Sequence, residues 1–150
     1  MKLNFTALKK QNGGSAVEFA FILPLLLLFV FGIIEWGVYL FDEHIITNAS
    51  RAGARHGVIQ ASPRVSADEI QARVLYYTGS NLVTFGAQNT PQVDVRVGVN
   101  PAICTTKGDE LAVTVNYSYN FLLLPALPRL TGGFFPTTRT ISARTVMRCE

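Results

Sequence analysis

The sequence contains few of the residues that carry catalysis or bind metals. It has two histidines, His44 and His56, and two cysteines, Cys104 and Cys149. It lacks a Walker A loop, a dinucleotide-binding fingerprint and a Cys-x-x-Cys pair, and no serine or cysteine lies in a nucleophile motif. We therefore predict that the protein is not an enzyme and has no catalytic, cofactor-binding or metal site, no cofactor and no small-molecule substrate.

Charged residues are also scarce, at 15% of the chain, whereas apolar residues make up 49%. Three of the 13 basic residues, Lys2, Lys9 and Lys10, precede Gly13, and the remaining ten equal the ten acidic residues in number. The basic excess therefore belongs to the N-terminal tip. The rest of the chain has no basic surplus of the kind that nucleic-acid-binding proteins carry, so we predict no nucleic-acid partner.

The lack of charge is most pronounced between Glu18 and Glu35, where Phe19–Ile34 contains no charged residue. Apolar residues continue to Phe41, so 14–41 exceeds the roughly 20 residues that cross the hydrocarbon core of a bilayer. A cleaved secretory signal is shorter and ends at a small-residue site, which does not follow here. A buried core helix of a soluble protein is the weaker alternative. Because a basic tip precedes the span, we expect the C-terminal part outside the cytoplasm.

Three residues of this run need their own interpretation. Pro24 lies inside the run and should kink the helix, because it lacks an N–H group. The two acids at its ends would lie roughly 25 Å apart on a helix, near the two membrane faces. Glu35 is predicted as an interfacial acid, with Trp36 and Tyr39 as aromatic belt residues. Glu18 lies among apolar residues, where an acid usually needs a partner.

After the run, the pattern stays helical to about Gly57. Small residues recur every four positions on one face, at Ala49, Gly53 and Gly57, and such a face allows another helix to approach closely. Two arginines, Arg51 and Arg55, share a different face. They either extend to water or pair within the chain, or they dock a partner.

The remainder of the chain predicts one helix and three strands. Ser66 and Glu69 form a capping box for a helix that ends near Thr78 or Gly79. Alternation of apolar and polar residues, or β-branched residues, predicts strands at Val93–Val99, Leu111–Phe121 and about Thr138–Arg148. These strands form a small antiparallel sheet.

The two cysteines fit this layout. In an up-down-up meander, the first strand ends near Cys104 and the third ends near Cys149, at the same edge of the sheet. We therefore predict a disulfide between them if this part of the chain is exported. Two unpaired buried thiols are the alternative.

Residues 122–136 are apolar for a connection between strands. Three prolines and two glycines make a regular element unfavourable there. The segment either packs onto the protein's own helix or forms an exposed patch that contacts a partner subunit or the membrane surface.

The N-terminal tip has the pattern of a processing site. Gly13 is followed by four residues, then Glu18 and the aromatic Phe19, and this order resembles a prepilin cleavage site. Cleavage after Gly13 would leave Gly14 with a cationic amino group of pKa about 7.7–8.0. Glu18 of this or a neighbouring subunit could pair with that group and offset the burial of both charges. Cleavage after Gly14 is the second alternative.

Longer segments extend this resemblance. The segments GSAVEFAFILPLLLLFVFGIIEWG and TNASRAGARHGV, with the ending TVMRCE, resemble TadE-like proteins, which are minor pilin or pseudopilin components of the tight-adherence (Tad/Flp) pilus system. The resemblance covers about 13–58 well and the strand region in outline. It implies a single-pass protein of the bacterial inner membrane, processed by a prepilin peptidase and assembling with other pilin-like subunits and Tad machinery. It carries over Gly13, Gly14 and Glu18 as processing and assembly positions.

The predicted fold class is α+β. It comprises a basic leader over 1–13, a transmembrane helix over 14–41, a helical stalk over 42–60 and a small exported domain over 61–150. The predicted function is that of a structural minor pilin-like subunit. The alternative is a single-pass, membrane-anchored periplasmic binding or sensing module without processing, which a concave site with convergent polar groups would favour.

Overall fold

The computed structural model describes residues 13–79, 81–85, 89–98, 103–122 and 137–150. In chain order, the elements are helices α1 (Gly14–Val58) and α2 (Ala67–Thr78) and strands β1 (Gln92–Val97), β2 (Glu110–Asn120) and β3 (Thr138–Arg148). The strands form one antiparallel sheet in the order β1-β2-β3. The α+β prediction is therefore confirmed, with two helices and a three-stranded meander.

The first helix is continuous for 45 residues, through Pro24. No residue of its N-terminal part is buried before Glu35, and the side chains of Phe21 and Phe29 are 79% and 68% exposed. Within the described part of the chain, α1 is the one helix that is long and apolar enough to cross a membrane. Its N-terminal half therefore presents apolar surface on all sides, as a membrane span does.

The C-terminal half of α1 lies inside the domain. Its buried residues share one face and are Glu35, Tyr39, Asp42, Ile46, Ala49, Ser50, Gly53, Ala54, Gly57 and Val58. This face packs against α2, β2 and β3. The sequence predicted a helical stalk over 42–60 followed by a domain over 61–150. In the structure this part of α1 packs into that domain as its central helix. Helical periodicity shows that a face exists and does not show which element covers it.

The second helix starts as predicted. The Ser66 hydroxyl accepts a hydrogen bond from the backbone N–H of Glu69 at 3.2 Å, and a Glu69 carboxylate oxygen accepts one from the Ser66 backbone N–H at 2.8 Å. These hydrogen bonds, led by the one from the Ser66 backbone, lower the pKa of Glu69. The reciprocal pair is a capping box, which satisfies two N–H groups that the first turn leaves free.

The sheet places its apolar residues against the helices. Along β2, the odd-numbered residues from Leu111 to Tyr119 are all buried, whereas Ser118 on the opposite face is exposed. Val113 pairs with Val95 of β1 and Thr145 of β3. Period-two alternation therefore assigns one face to the core, and the polar face of the sheet is not covered by α1 or α2.

The two cysteines are joined in a disulfide at one end of the sheet. Cys104 and Cys149 have Cα atoms 5.7 Å apart and a sequence separation of 45, and both are buried. The backbone N–H of Cys149 donates to the carbonyl of Asp109 at 2.8 Å, and Gly108 donates to the carbonyl of Cys149 at 2.9 Å. The disulfide therefore links the segment before β2 to the end of β3. Residues 123–136, which make up most of the predicted apolar segment 122–136, lie outside the described residues.

Candidate functional site

The predicted processing residues lie at the uncovered end of α1. Gly14 begins the helix, and the carbonyl of Gly13 accepts a hydrogen bond from the backbone N–H of Val17 at 3.2 Å. A Cβ atom added to Gly13 or Gly14 would meet no atom within 4 Å. Folding of the described chain therefore does not require glycine at these positions, and both are accessible.

Glu18 is an exposed acid within the apolar part of α1. The ion pairs of the described residues join Arg96 to Asp94 and Arg148 to Glu110, so neither involves Glu18. A carboxylate surrounded by apolar surface is costly in a membrane unless a cation pairs with it. Placing Glu18 in a membrane would therefore call for a cation that the ion pairs of the described residues do not supply.

The small-residue face of α1 meets α2 and β2 of the same chain. A Cβ atom on Gly53 would lie 2.4 Å from a methyl group of Val74, and one on Gly57 would lie 2.6 Å from methyl groups of Ile70 and Leu111. Ala49 on the same face is fully buried. The close approach that these small residues permit is therefore used inside the domain.

The arginine pair lies on the opposite side of the helix. Arg51 and Arg55 are both exposed, and no ion pair of the described residues includes either of them. The two guanidinium groups are one helical turn apart and face outward. They are therefore accessible to a partner or to water, and they are not part of the core.

Glu35 is buried at the point where the domain meets the exposed part of α1. Its side chain is 7% exposed and accepts a hydrogen bond from the backbone N–H of Leu122. Tyr39, one turn further on, is buried and packs edge-to-face on Tyr119 and stacks on Phe121. The sequence predicted Glu35 as an interfacial acid with Trp36 and Tyr39 as aromatic belt residues. The structure adds that Glu35 is buried and fixes the chain that follows β2 to α1, and that Tyr39 belongs to the core.

Asp42 is a second buried acid on the same face of α1. It is fully buried, and its Oδ1 atom accepts a hydrogen bond from the backbone N–H of Val83 at 3.0 Å. Its Oδ2 atom has no hydrogen-bond partner. Burial raises the pKa of Asp42, and the hydrogen bond from Val83 opposes that shift in part. The sequence did not predict this role for Asp42, which directly follows the apolar run.

Tyr119 lies beside these two acids. Its hydroxyl group is buried without a hydrogen-bond partner. Burial, with additional contributions from the charges of Glu35 and Asp42, raises the pKa of Tyr119 to about 12. We call Glu35, Asp42 and Tyr119 the junction cluster. It ties α1 to the connections that follow α2 and β2. The spacing of Glu35, Tyr39, Asp42 and Ile46 along one helical face was the signal in the sequence that could have revealed it.

The charge of Asp42 gives a testable pH dependence. Because burial raises its pKa in the folded state, the ionised carboxylate disfavours folding. The stability that Asp42 contributes is fully present below its unfolded pKa of 3.8 and is lost as the pH rises through the folded pKa. Asp42→Asn should therefore unfold at higher urea concentration than the unmodified protein at neutral pH, with the difference shrinking in acid. Urea unfolding at several pH values checks this.

The control for this prediction is Glu43→Gln, which removes a neighbouring exposed charge. It should leave the urea midpoint and its pH dependence almost unchanged, because exposed charges contribute little. A difference between Asp42→Asn and the unmodified protein that is the same at every pH would contradict the assignment.

The outer face of the sheet contains a shallow cavity of about 480 Å³. Its lining residues are all polar and uncharged: Asn89, Thr90, Gln92, Asn116, Ser118 and Thr140. Asn89 donates a hydrogen bond to the carbonyl of Ser118 at 2.7 Å, which closes one side. The sequence did not predict this cavity, because it depends on residues from three strands and the connection before β1. No group of three potential metal ligands occurs among the described residues.

These features define a class of protein. It is a membrane-anchored protein with one N-terminal apolar helix whose C-terminal half forms the core of a small α+β domain. Residues 13–55 match the family model of TadE-like protein, which confirms the resemblance over this segment. The matched segment contains Gly13, Glu18, the small-residue face to Gly53, and Arg55. No curated protein and no solved structure matches the chain.

Proposed function

We propose that this protein is a structural minor pilin-like subunit that assists assembly of a Tad-type adhesion pilus or secretion apparatus. The observation that carries the proposal is the division of α1. Its N-terminal half is exposed, apolar and preceded or interrupted by Gly13 and Glu18, whereas its C-terminal half is fixed in a folded domain. The family match extends over both halves, to residue 55. The N-terminal half of α1 can therefore contact lipid or neighbouring helices while the C-terminal half stays in the core of the domain.

Processing prepares the exposed half for that role. A prepilin peptidase cleaves after Gly13, and the new amino group of Gly14 pairs with Glu18 of this or a neighbouring subunit. The ion pair offsets the free-energy cost of burying the two charges. Either charge alone would be strongly unfavourable in an apolar bundle of helices. The protein is not an enzyme in this proposal. Its partners are the peptidase, other pilin-like subunits, the Tad machinery and the bilayer.

The proposed location is the bacterial inner membrane, with the basic tip in the cytoplasm and the domain in the periplasm. Three lysines before Gly13 support this orientation by the positive-inside rule. The disulfide between Cys104 and Cys149 supports an oxidising compartment for the domain, since cytoplasmic thiols are kept reduced.

The first test is the mass of the intact protein, purified from cells with and without the matching peptidase. We expect loss of residues 1–13 when the peptidase is present and a full-length chain when it is absent. Gly13→Val should block cleavage, because the peptidase must accommodate the residue before the scissile bond. Since a Cβ atom at Gly13 meets nothing in the described chain, a folding defect would not explain the block.

Two controls sharpen this test. Gly32→Ala, at another position with no atom within 4 Å, should be cleaved normally. Glu18→Gln should also be cleaved but should lower the number of assembled pili, because it cannot form the ion pair with the new amino group. An intact N terminus in cells that contain the active peptidase would refute the processing step.

A second candidate function is a membrane-anchored periplasmic binding module. The polar cavity on the outer sheet face favours it, because uncharged amide and hydroxyl groups converge there. This function requires neither cleavage nor the Glu18 ion pair. An unprocessed chain together with normal piliation in the Glu18→Gln variant would therefore favour the binding module over the pilin-like subunit.

A further inference from the structure

The position along α1 at which the domain begins sets the distance between the domain and the membrane. The part of α1 that the domain leaves free runs from Gly14 to Ile34. At a rise of about 1.5 Å per residue this part is about 31 Å long, and the hydrocarbon core of a bilayer is about 30 Å thick. The free part therefore fills the hydrocarbon core, and the domain starts where that core ends.

The next two turns of α1 have one face in the domain and the other exposed. Glu35 and Tyr39 are buried under the domain, whereas Trp36, Leu40 and Phe41 are 53%, 51% and 52% exposed. Exposed apolar groups at this height, continuous with the membrane span, favour lipid contact over water. The lower end of the domain shares that height, because its residues cover the other face of the same turns.

The lower end of the domain has the composition of a membrane interface. Leu122 is 59% exposed and Val83 is 40% exposed, and the junction cluster holds both by their backbone N–H groups, through Glu35 and Asp42. Arg139 is exposed, with its guanidinium carbon 5.9 Å from the centre of the Tyr39 ring. We call Trp36, Val83, Leu122 and Arg139 the basal rim.

Each component of the basal rim suits lipid. Tryptophan is enriched where acyl chains meet headgroups, and an arginine at that level is attracted to anionic lipid phosphates. The headgroup region adds roughly 5–7 Å on each side of the hydrocarbon core. The rise from Glu35 to Phe41 is about 9 Å, so Trp36 lies within that layer and Phe41 lies at or just beyond its outer edge.

We propose that the basal rim inserts into the boundary between headgroups and acyl chains, so that the domain has a lipid contact of its own beside the transmembrane helix. This inference rests on the proposed membrane anchorage. It gives the junction cluster a role, since Glu35 holds Leu122 at the lower end of the domain and Asp42, seven residues further along α1, holds Val83. The domain is thereby held against the bilayer and does not stand on a free stalk.

The chain contains one tryptophan, Trp36, which makes depth measurable by fluorescence. Trp36→Phe gives a tryptophan-free background for the full-length protein in liposomes of zwitterionic and anionic phospholipids. Single tryptophans are then placed at Leu122 (L122W), at Phe29 in the free part of α1 (F29W) and at the exposed Ile59 beyond its upper end (I59W). Each is measured with lipids brominated along the acyl chain and with acrylamide in the water.

We expect strong bromolipid quenching for F29W and the reverse pattern, quenching by acrylamide alone, for I59W. L122W should be quenched by bromolipid several-fold more than I59W, and most strongly by lipids brominated near the headgroup. V83W serves as a second rim probe should L122W fail to fold, and circular dichroism verifies the fold of every variant.

The outcomes separate the inference from the anchorage on which it rests. If F29W is quenched by bromolipid but L122W and V83W behave like I59W, the helix is anchored and the rim contact is refuted. If F29W is not quenched, the anchorage itself fails, and the rim contact fails with it. Rim probes shielded from both quenchers would show that protein, such as another subunit, covers the rim, which also overturns the proposal.

Discussion

Replacing both Cys104 and Cys149 with alanine should lower the free energy of unfolding by about 4 kcal/mol. The disulfide closes a loop with a sequence separation of 45, and the chain-entropy estimate for a loop of that length is about 4 kcal/mol. The loop contains β2 and β3, so the unbridged unfolded chain gains freedom over two of the three strands. This domain is small, so the loss is a large part of its expected stability. Guanidinium unfolding of the full-length protein in detergent, followed by circular dichroism, measures it.

Reduction supplies the control for this prediction. Dithiothreitol should destabilise the unmodified protein by a similar amount and should have no effect on the double alanine variant. If the variant unfolds at the same guanidinium concentration as the oxidised protein, the disulfide contributes nothing and the entropy argument is wrong for this domain.

Gly53→Leu should lower the free energy of unfolding by about 2 kcal/mol, the overpacking cost less the higher helix propensity of leucine. A Cβ atom at this position would lie 2.4 Å from Val74 and 3.5 Å from Val113. Val74 is fully buried on α2 and is β-branched, so its methyl group has little freedom to move aside. The bulkier side chain therefore forces α1 and α2 apart. The guanidinium midpoint of the full-length variant checks this loss.

Gly37→Leu is the matched control, because a Cβ atom at Gly37 meets nothing within 4 Å. It replaces the same residue type in the same helix and should stabilise the protein slightly through helix propensity alone. Equal destabilisation by the two substitutions would mean that the close contact between α1 and α2 does not limit the residue at 53.

Local patterns predicted most of the secondary structure. Ser66 and Glu69 form the capping box that their spacing indicated, and the period-two runs became β2 and β3 at or within one residue of the expected bounds. These features depend on neighbours a few residues apart, so they are encoded in short windows of sequence. The paired cysteines also lie where the predicted meander brought them together.

The junction cluster was not predictable in the same way. Asp42 accepts its hydrogen bond from a residue 41 positions away, and Glu35 accepts its bond from one 87 positions away. In the sequence, Glu35 closes the uncharged run and predicts an acid at the membrane interface, and Asp42 follows the same apolar segment. Only the return of the chain after α2 and at the end of β2 places backbone N–H groups against them.

The sequence by itself determined the apolar span, the processing pattern at Gly13 and Glu18, the cap of α2 and the alternation of the strands, because each depends on residue spacing within one element. The tertiary structure decided what those elements cover. The expected stalk over 42–60 forms the central helix of the domain, since the small residues Gly53 and Gly57 allow α2 and β2 to approach α1 closely. The tertiary structure also buried Glu35 and Asp42, because a carboxylate leaves water where distant backbone donors replace part of its hydration.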